Sequence, residues 1–142
     1  MLETRRRAIL GLVGAGFYTE VQLEFWAKPR TEASLKEMIG STTTFVAVIE
    51  DGVVGFANLI SPSGEVDQLY VDPCFGGRSI ARLLYKAVEA EARRLDIDNL
   101  YAIASLRAVP VFEHFGFISN QPLPKMFNGQ TFSVVPVTKK LR

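Results

Sequence analysis

Hydrophobic and polar residues alternate in several short runs from residue 42 onward. Two β-rich runs flank the dipeptide of Asp51 and Gly52, and this pattern predicts a β-hairpin with its turn at the dipeptide. The segment "EVDQLYV" at 65–71 predicts a further strand, and "LYAIAS" at 100–105 predicts a short buried one. Asn128 and Gly129 mark a second hairpin, which leads into the apolar run "TFSVVPV".

A helical period lies between the strands at 65–71 and 100–105. Its apolar residues recur every three or four positions and predict one buried stripe: Ile80, Leu83, Leu84, Ala87, Val88, Ala92 and Leu95. Glu89 and Arg93 fall on the other side, at the i,i+4 spacing of a favourable ion pair. A strand, a helix and a strand in this order predict a β-α-β unit with parallel strands and a right-handed crossover.

Upstream of residue 42 the pattern favours helices. "YTEVQLEFWAK" at 18–28 begins with a capping box, in which Thr19 can cap and Gln22 can reach back. Residues 35–39 predict a second short helix that ends at Gly40. "RRRAILGLVGAG" at 5–16 is similar to the start of a signal peptide, but its short apolar run favours a first helix with a basic start.

Composition narrows the classes of protein. With 142 residues, of which 48% are hydrophobic, we expect one domain spanning 1–142. The net charge of +1 argues against a nucleic-acid binder, and no apolar run is long enough to span a membrane. Cys74 is the only cysteine and no Cys/His cluster has zinc spacing, so we expect no metal site and a cytoplasmic location.

The turn between the strand at 65–71 and the helix is rich in glycine. Gly76, Gly77 and Arg78 stand at the start of the helix. A helix start carries unpaired N–H groups and the positive end of the dipole, glycines allow close approach, and arginine adds a charge. These features predict an anion site suited to phosphate. The alternative is a tight turn without a ligand, and the spacing matches neither a P-loop nor a Rossmann fingerprint.

Two segments resemble the motifs of one family. "LYVDPCFGGRSIARLL" at 69–84 resembles the acetyl-coenzyme A signature of the GNAT N-acetyltransferases, L-x-V-x-P-x-x-Q/R-G-x-G-x-G/A-x-x-L-L. "ASLRAVPVFEHFGF" at 104–117 resembles the second motif, N-x-x-A-x-x-x-Y-E-x-x-G-F, at a similar distance along the chain. The resemblance implies an α/β (α+β) fold, with a mixed, mostly antiparallel sheet flanked by helices and a splayed central parallel pair. The family's usual first strand is expected to be absent, which would leave "TTTFVAVI" at 42–49 as a sheet edge and allow a homodimer.

The resemblance also implies a cosubstrate, acetyl-coenzyme A. The residues it places at coenzyme A are Leu69, Tyr70, Val71, Gly76, Gly77, Arg78, Ser79, Ile80, Ala81, Ser105 and Phe112. Four positions depart from the motifs. Gly76 replaces glutamine or arginine, and Ser79 replaces a glycine, which we expect to cost little at a helix start. Ser105 replaces a capping asparagine and should still form a hydrogen bond, whereas Phe112 replaces the tyrosine that often protonates the leaving thiolate.

Catalysis by an enzyme of this type requires a base for the amine. Glu65 stands on the strand where several family members carry a catalytic glutamate, and alternation predicts that Glu65, Asp67, Leu69 and Val71 share one face. Glu65 is therefore the leading candidate, Asp67 is the second, and a water relay without a protein base is the alternative. His114 is the only histidine and could replace the missing acid, although such a residue is more often a surface residue.

Three functions are compatible with these patterns. The first is an N-acetyltransferase that moves acetyl from acetyl-coenzyme A to a primary amine of a small molecule or peptide. The second is a non-catalytic scaffold that binds coenzyme A as a sensor or assembly module, and the third is a structural dimer without a cofactor. Family precedent implies an acceptor groove between the helices at 16–28 and the hairpin at 125–131. The acceptor itself has no signature in the sequence.

Overall fold

A computed structural model describes residues 42–76, 79–127 and 129–142. These ranges contain seven strands, two α-helices and one 3₁₀ turn at Pro73–Phe75. The strands are β1 (Thr43–Ile49), β2 (Gly52–Ile60), β3 (Glu65–Val71), β4 (Asn99–Ser105), β5 (Ile118–Ser119), β6 (Leu123–Phe127) and β7 (Gln130–Lys140). The helices are α1 (Ile80–Arg94) and α2 (Val109–His114). The predicted helices upstream of residue 42, together with Gly77 and Arg78, lie outside these ranges.

The described strands form one mixed sheet in the order β1-β2-β3-β4-β7-β5, with β6 paired to β7. Every pair is antiparallel except β3 with β4. The parallel pair is joined at one register position, where Glu65 stands opposite Tyr101. Tyr101 N–H donates to Gly64 O at 3.0 Å, and past this point the strands separate. The predicted fold and the predicted splay between the parallel strands are both confirmed.

The two hairpins follow their sequence signals unequally. In the second, Phe127 pairs with Gln130 and Gly129 has φ 78°, so the predicted hairpin is confirmed, although Asn128 lies outside the described residues. In the first, Ile49 pairs with Gly52, and the loop consists of Glu50 and Asp51 with φ values of 50° and 67°. The predicted hairpin is therefore confirmed, but its turn lies one residue earlier than the predicted Asp51 and Gly52. Because the acidic pair adopts the two left-handed conformations that a type I′ loop needs, the glycine is left in the strand.

Helix α1 packs on one face of the sheet. Its buried residues are Ile80, Leu84, Tyr85, Val88 and Ala92. Each large apolar side chain buried here contributes roughly 1.5–3 kcal/mol of stabilisation. The predicted stripe is wrong at Leu83, which is 65% exposed, and at Leu95, which is 38% exposed. Tyr85 is buried instead because its ring stacks on Phe115 at 4.5 Å and its hydroxyl finds a partner in Glu89.

A β-bulge interrupts the pairing of β2 with β3. Asn58 stands opposite Gln68 and Leu59 stands opposite Val66, so Asp67 is an extra residue on β3. The extra residue reverses the alternation of side chains. Beyond the bulge, Leu69 and Val71 share the α1 face with Val66, as the contacts of the core show. Glu65 lies on the opposite face, and the predicted common face of Glu65, Asp67, Leu69 and Val71 is therefore wrong.

Candidate active site

Unpaired backbone groups of β3 face the gap that opens between β3 and β4. Gln68 N–H donates to Asn58 Oδ1 at 2.7 Å and Asp72 N–H donates to Val54 O at 2.7 Å, so both amides point toward β2. Successive N–H groups of a strand point to opposite edges. The amides of Leu69 and Val71 therefore point toward β4, which no longer pairs with β3 at this height. We call this opening the slot.

The other wall of the slot is β4. Tyr101 N–H points to β3, so alternation places the amides of Ile103 and Ser105 on the same edge. The far edge of β4 pairs with β7 along its whole length. Ser105 turns the chain into α2, because its hydroxyl and its carbonyl accept from Ala108 N–H at 3.2 and 3.0 Å. The hydrogen bond predicted for the Ser105 hydroxyl is therefore confirmed. An extended chain added between β3 and β4 could pair with the unpaired backbone groups on both walls of the slot.

The slot opens into a cavity of about 370 Å³ at the carboxyl end of β3. Its lining combines the end of β3, the turn before α1, the first turn of α1 and the end of α2: Val71, Phe75, Gly76, Ser79, Ile80, Ala81, Arg82, His114 and Phe115. Helical bonding begins where Leu83 N–H donates to Ser79 O at 3.1 Å. The amides at the start of α1 therefore have no helical acceptor, and the positive end of the helix dipole lies at the cavity.

Two residues of the turn before α1 behave differently from expectation. Ser79 has φ 60° and ψ 22°, the left-handed conformation, and its side chain caps no amide. A non-glycine residue in this conformation costs roughly 1–2 kcal/mol, so serine is more costly here than predicted. Gly76 has φ −62°, a conformation that any residue can adopt. A Cβ at this position would lie 3.4 Å from Pro73 O, which is an ordinary contact. The family signature has glycine at the position of Ser79 and a side chain at that of Gly76, as these conformations favour.

The candidate catalytic residues lie at different ends of the slot. Glu65 is half-buried at the closed end, where Tyr101 Oη–H donates to its Oε2 at 3.4 Å. His114 is exposed and lines the cavity at the open end. Glu65, Leu69 and Val71 stand opposite Ile60, Ala57 and Gly55. At a strand rise of about 3.3 Å per residue, the Cα atom of Glu65 is therefore roughly 10 Å along the sheet from that of Leu69 and roughly 17 Å from that of Val71. The structure therefore does not bring Glu65 and His114 together.

Two other predicted residues occupy contrasting environments. Asp67 is exposed on the bulge. Phe112 is only 5% exposed, and its ring packs edge-on against Phe117 at 5.0 Å, within the core. A phenyl ring has no proton to give, and the contact between Phe112 and coenzyme A stays a prediction.

A polar cluster that the sequence reasoning missed supports the wall of the cavity. Lys139 Nζ donates to Phe115 O at 2.7 Å and to Tyr85 Oη at 3.0 Å, and it pairs with Glu89 Oε1 at 2.7 Å. Burial, together with the hydrogen bond and negative charge of Glu89, raises the pKa of the Tyr85 phenol well above its ordinary value. Burial opposes ionisation of Glu89, but hydrogen bonds from Lys139 and Tyr85 outweigh it and lower the pKa of the carboxyl.

The Lys139 contacts join α1, β7 and the end of α2. Glu89 also pairs with Arg93 at 3.8 Å, which confirms the predicted i,i+4 ion pair. The i,i+4 spacing of Tyr85 and Glu89 was visible in the sequence, but the third partner is 50 residues further along from Glu89, and pairing of β4 with β7 brings it there.

Within residues 42–76, 79–127 and 129–142, no group of three or more His, Cys, Asp or Glu side chains is placed to hold a metal ion. None of the helices in these ranges is long and apolar enough to cross a membrane. Cys74 is exposed and its thiol is free. Its amide donates to Asp72 Oδ1 at 3.0 Å, which caps the 3₁₀ turn and fixes the chain between β3 and the cavity.

Comparison with known proteins agrees with this geometry. The family model described as the acetyltransferase (GNAT) domain matches residues 15–140. A GCN5-related N-acetyltransferase of Rhodopseudomonas palustris, whose structure is also described as a class-II aminotransferase, is 30% identical. Its structure superimposes with a TM-score of 0.92, covering 99% of this chain and 87% of that one. The PaiA N-acetyltransferase of Thermoplasma acidophilum, solved in complex with coenzyme A, has a TM-score of 0.76 at 20% identity, covering 98% and 89%.

A curated relative is similar to part of the chain. The uncharacterized N-acetyltransferase YafP of Escherichia coli (strain K12) is 33% identical over 100 residues. The match covers 70% of this chain and 61% of the relative, so the chain spans about three fifths of that protein's length. The chain belongs to the GNAT acetyltransferase family, and the resemblance of the two motifs is thereby confirmed. Its fold is the one that this family uses for acyl transfer.

Proposed function

We propose that this protein transfers the acetyl group of acetyl-coenzyme A to a primary amine of a small molecule or peptide, by direct attack in a ternary complex. The observation that carries the proposal is the slot, where β3 and β4 pair at one position and then separate. An interior strand edge without a partner leaves N–H and C=O groups unsatisfied unless a ligand pairs with them. We also propose that residues 1–142 form one domain and act in the cytoplasm.

Coenzyme A is expected to lie along the slot with its phosphates in the cavity. Its pantetheine arm carries amides that can pair with Leu69 and Val71 as an added strand would. Its phosphates suit the cavity, where the first turn of α1 offers N–H groups and Arg82 offers positive charge. His114 lines the same cavity and can donate to a phosphate oxygen. Gly77 and Arg78, which lie outside the described ranges, are predicted to complete this anion site.

The chemistry follows from the slot's backbone. The thioester carbonyl oxygen can accept from Leu69 or Val71 N–H, which stabilises negative charge as the amine attacks. The new bond joins nitrogen to the carbonyl carbon, the carbon–sulfur bond breaks, and the ammonium proton passes to a base. Because Glu65 is roughly 10 Å along the sheet from Leu69, we propose that a chain of water molecules carries this proton to Glu65.

Departure of the thiolate has no tyrosine to assist it. A thiol has a pKa of about 8.5, so the thiolate can leave unassisted or take a proton from water. General acid help typically contributes about 10²–10⁴-fold, and its absence should slow transfer without abolishing it. The buried Phe112 is also the observation that favours the alternative, a scaffold that binds coenzyme A without transferring acetyl.

A two-stage experiment tests the proposal. Thermal unfolding is first measured with coenzyme A, where a ligand at a hundred times its dissociation constant adds about 2.7 kcal/mol of stability. Acetyl transfer from acetyl-coenzyme A is then screened over small amines and peptide N-termini. Binding with turnover of at least one amine is the expected result. Binding without turnover would favour the scaffold, and no thermal shift would favour a structural protein without a cofactor.

We propose in addition that the protein forms a homodimer through β1. In the described sheet β1 is an edge strand, and its Val46 and Val48 are 47% and 55% exposed. Exposed strand edges with apolar side chains favour pairing with a second copy. Light scattering at micromolar concentration should give twice the mass of one chain, and the mass of one chain would remove this proposal.

A further inference from the structure

Asn58 is a buried polar residue whose hydrogen bonding is half complete. It lies on β2, opposite Gln68, and is 0% exposed. Its Oδ1 accepts from the backbone N–H of Gln68 at 2.7 Å, while its Nδ2 has no partner among the described residues. A buried donor without an acceptor costs about 1–3 kcal/mol, which a leucine of similar size would avoid. The presence of an amide here therefore indicates a requirement for its carbonyl oxygen.

The carbonyl of Asn58 acts at the bulge of β3. A bulge places two residues against one on the neighbouring strand and disrupts the ladder locally. Gln68 is the first residue beyond the extra Asp67, and its amide finds the side chain of Asn58. Asn58 thus holds Gln68 N–H toward β2 at the position where the ladder is weakest.

The orientation of Gln68 decides which amides enter the slot. With the Gln68 amide toward β2, alternation directs Leu69 and Val71 N–H into the slot. A slip of one residue would instead turn the amides of Gln68 and Tyr70 into it and reverse every side chain beyond the bulge. We propose that Asn58 is a positioning residue, which fixes the bulge so that Leu69 and Val71 present their amides to the thioester arm of coenzyme A. This inference rests on the proposed function of the slot.

Matched substitutions separate this role from a structural one. Asn58→Leu keeps the volume and loses the carbonyl, and it also removes the orphan donor, so the melting temperature should change by no more than about 3 °C. The same variant should lose at least about tenfold in kcat/KM, because small misplacements of reacting groups are costly. Asn58→Asp keeps an acceptor oxygen, and a buried carboxyl stays protonated and isosteric with the amide, so it should retain most of the activity. Asn120→Leu, at an exposed asparagine just after β5, is the control.

Kinetic outcomes can overturn the inference. Full activity of Asn58→Leu would show that the carbonyl is not needed. Equal loss in Asn58→Leu and Asn58→Asp, with both folded, would show that bulk or stability was responsible.

Amide hydrogen exchange of the protein without ligand tests the inference without any assay of activity. In the wild type, the amides of Leu69 and Val71 should exchange faster than those of Gln68 and Tyr70. In Asn58→Leu the difference in exchange rate between these two pairs of amides should become smaller. A wild type in which Gln68 exchanges as fast as Leu69 would overturn the inference, even if Asn58→Leu does not fold. Failure of the wild type to bind coenzyme A would instead refute the proposed function, and the exchange pattern would still decide the role of Asn58.

Discussion

Replacement of Ser79 by glycine should stabilise the protein without weakening its affinity for coenzyme A. Ser79 adopts φ 60° and makes no side-chain cap, so it bears the cost of the left-handed conformation and gains no hydrogen bond at the helix start. That conformation costs roughly 1–2 kcal/mol for a non-glycine residue, while glycine loses about 0.5–1 kcal/mol in backbone entropy. The net gain expected for Ser79→Gly is therefore about 0.5–1 kcal/mol.

Urea and thermal unfolding measure this gain. For a chain of 142 residues, 1 kcal/mol corresponds to about 3 °C in melting temperature, so a rise of about 2–3 °C is expected. Ser79→Ala is the matched control, because alanine keeps the cost of the left-handed conformation and removes only a hydroxyl that caps no amide. It should change the free energy of unfolding by less than about 0.5 kcal/mol. Coenzyme A affinity should be retained in Ser79→Gly because the amides are unchanged. A loss of about 1 kcal/mol in Ser79→Ala, the usual cost of removing a cap, would refute the reasoning.

Three further predictions concern charge. Glu65→Gln should slow acetyl transfer and flatten the rising limb of its pH profile, while an unchanged profile in steady-state assays would assign proton removal to a water relay without a protein base. Arg82→Gln should weaken coenzyme A binding severalfold in low-salt calorimetry, and the difference from wild type should narrow at high salt. His114→Gln should weaken binding through loss of the imidazole hydrogen-bond donor; wild-type affinity in both variants would place the phosphates elsewhere. Because the pKa of Glu89 is lowered on folding, its carboxylate stabilises the folded state above about pH 4.5, and this stabilisation is lost as pH falls. Because the pKa of Tyr85 is raised on folding, its neutral phenol stabilises the folded state below about pH 10, and this stabilisation is lost as pH rises above that value. Urea unfolding of Glu89→Gln should therefore have a flatter acid limb and that of Tyr85→Phe a flatter alkaline limb; wild-type slopes in either variant would contradict the assigned pKa shifts.

The elements with strong local signals were predictable from the sequence. The Asn-Gly hairpin, the amphipathic helix and the parallel pair around it depend on turn chemistry and periodicity, which local sequence carries. The splay between β3 and β4 came from the resemblance to the family. The bulge was not predicted, although Val66, Leu69 and Val71 depart from the period of two that an uninterrupted strand would show. The spacing of these three apolar residues indicates an extra residue between Val66 and Leu69, and that residue places Glu65 on the face opposite α1.

Other features depend on contacts distant in sequence. Tyr85 is buried because Phe115 and Lys139 provide a ring and a charged partner, and neither is visible from the period of α1. Leu83 is exposed although its spacing fits the stripe, because the buried side of α1 extends toward Tyr85 and away from Leu83. The left-handed conformation of Ser79 likewise had no signal except the glycine of the family motif. A backbone geometry set by neighbouring elements overrides local propensity at these positions.

Hydrogen exchange of β3 with and without coenzyme A tests whether the thioester arm lies in the slot. Saturating coenzyme A is expected to slow exchange at the amides of Leu69 and Val71, which face the slot. The amides of Gln68 and Tyr70, which face β2, should change little. Unchanged exchange at Leu69 and Val71 in the presence of bound coenzyme A would contradict the account, because the thioester arm would then lie outside the slot.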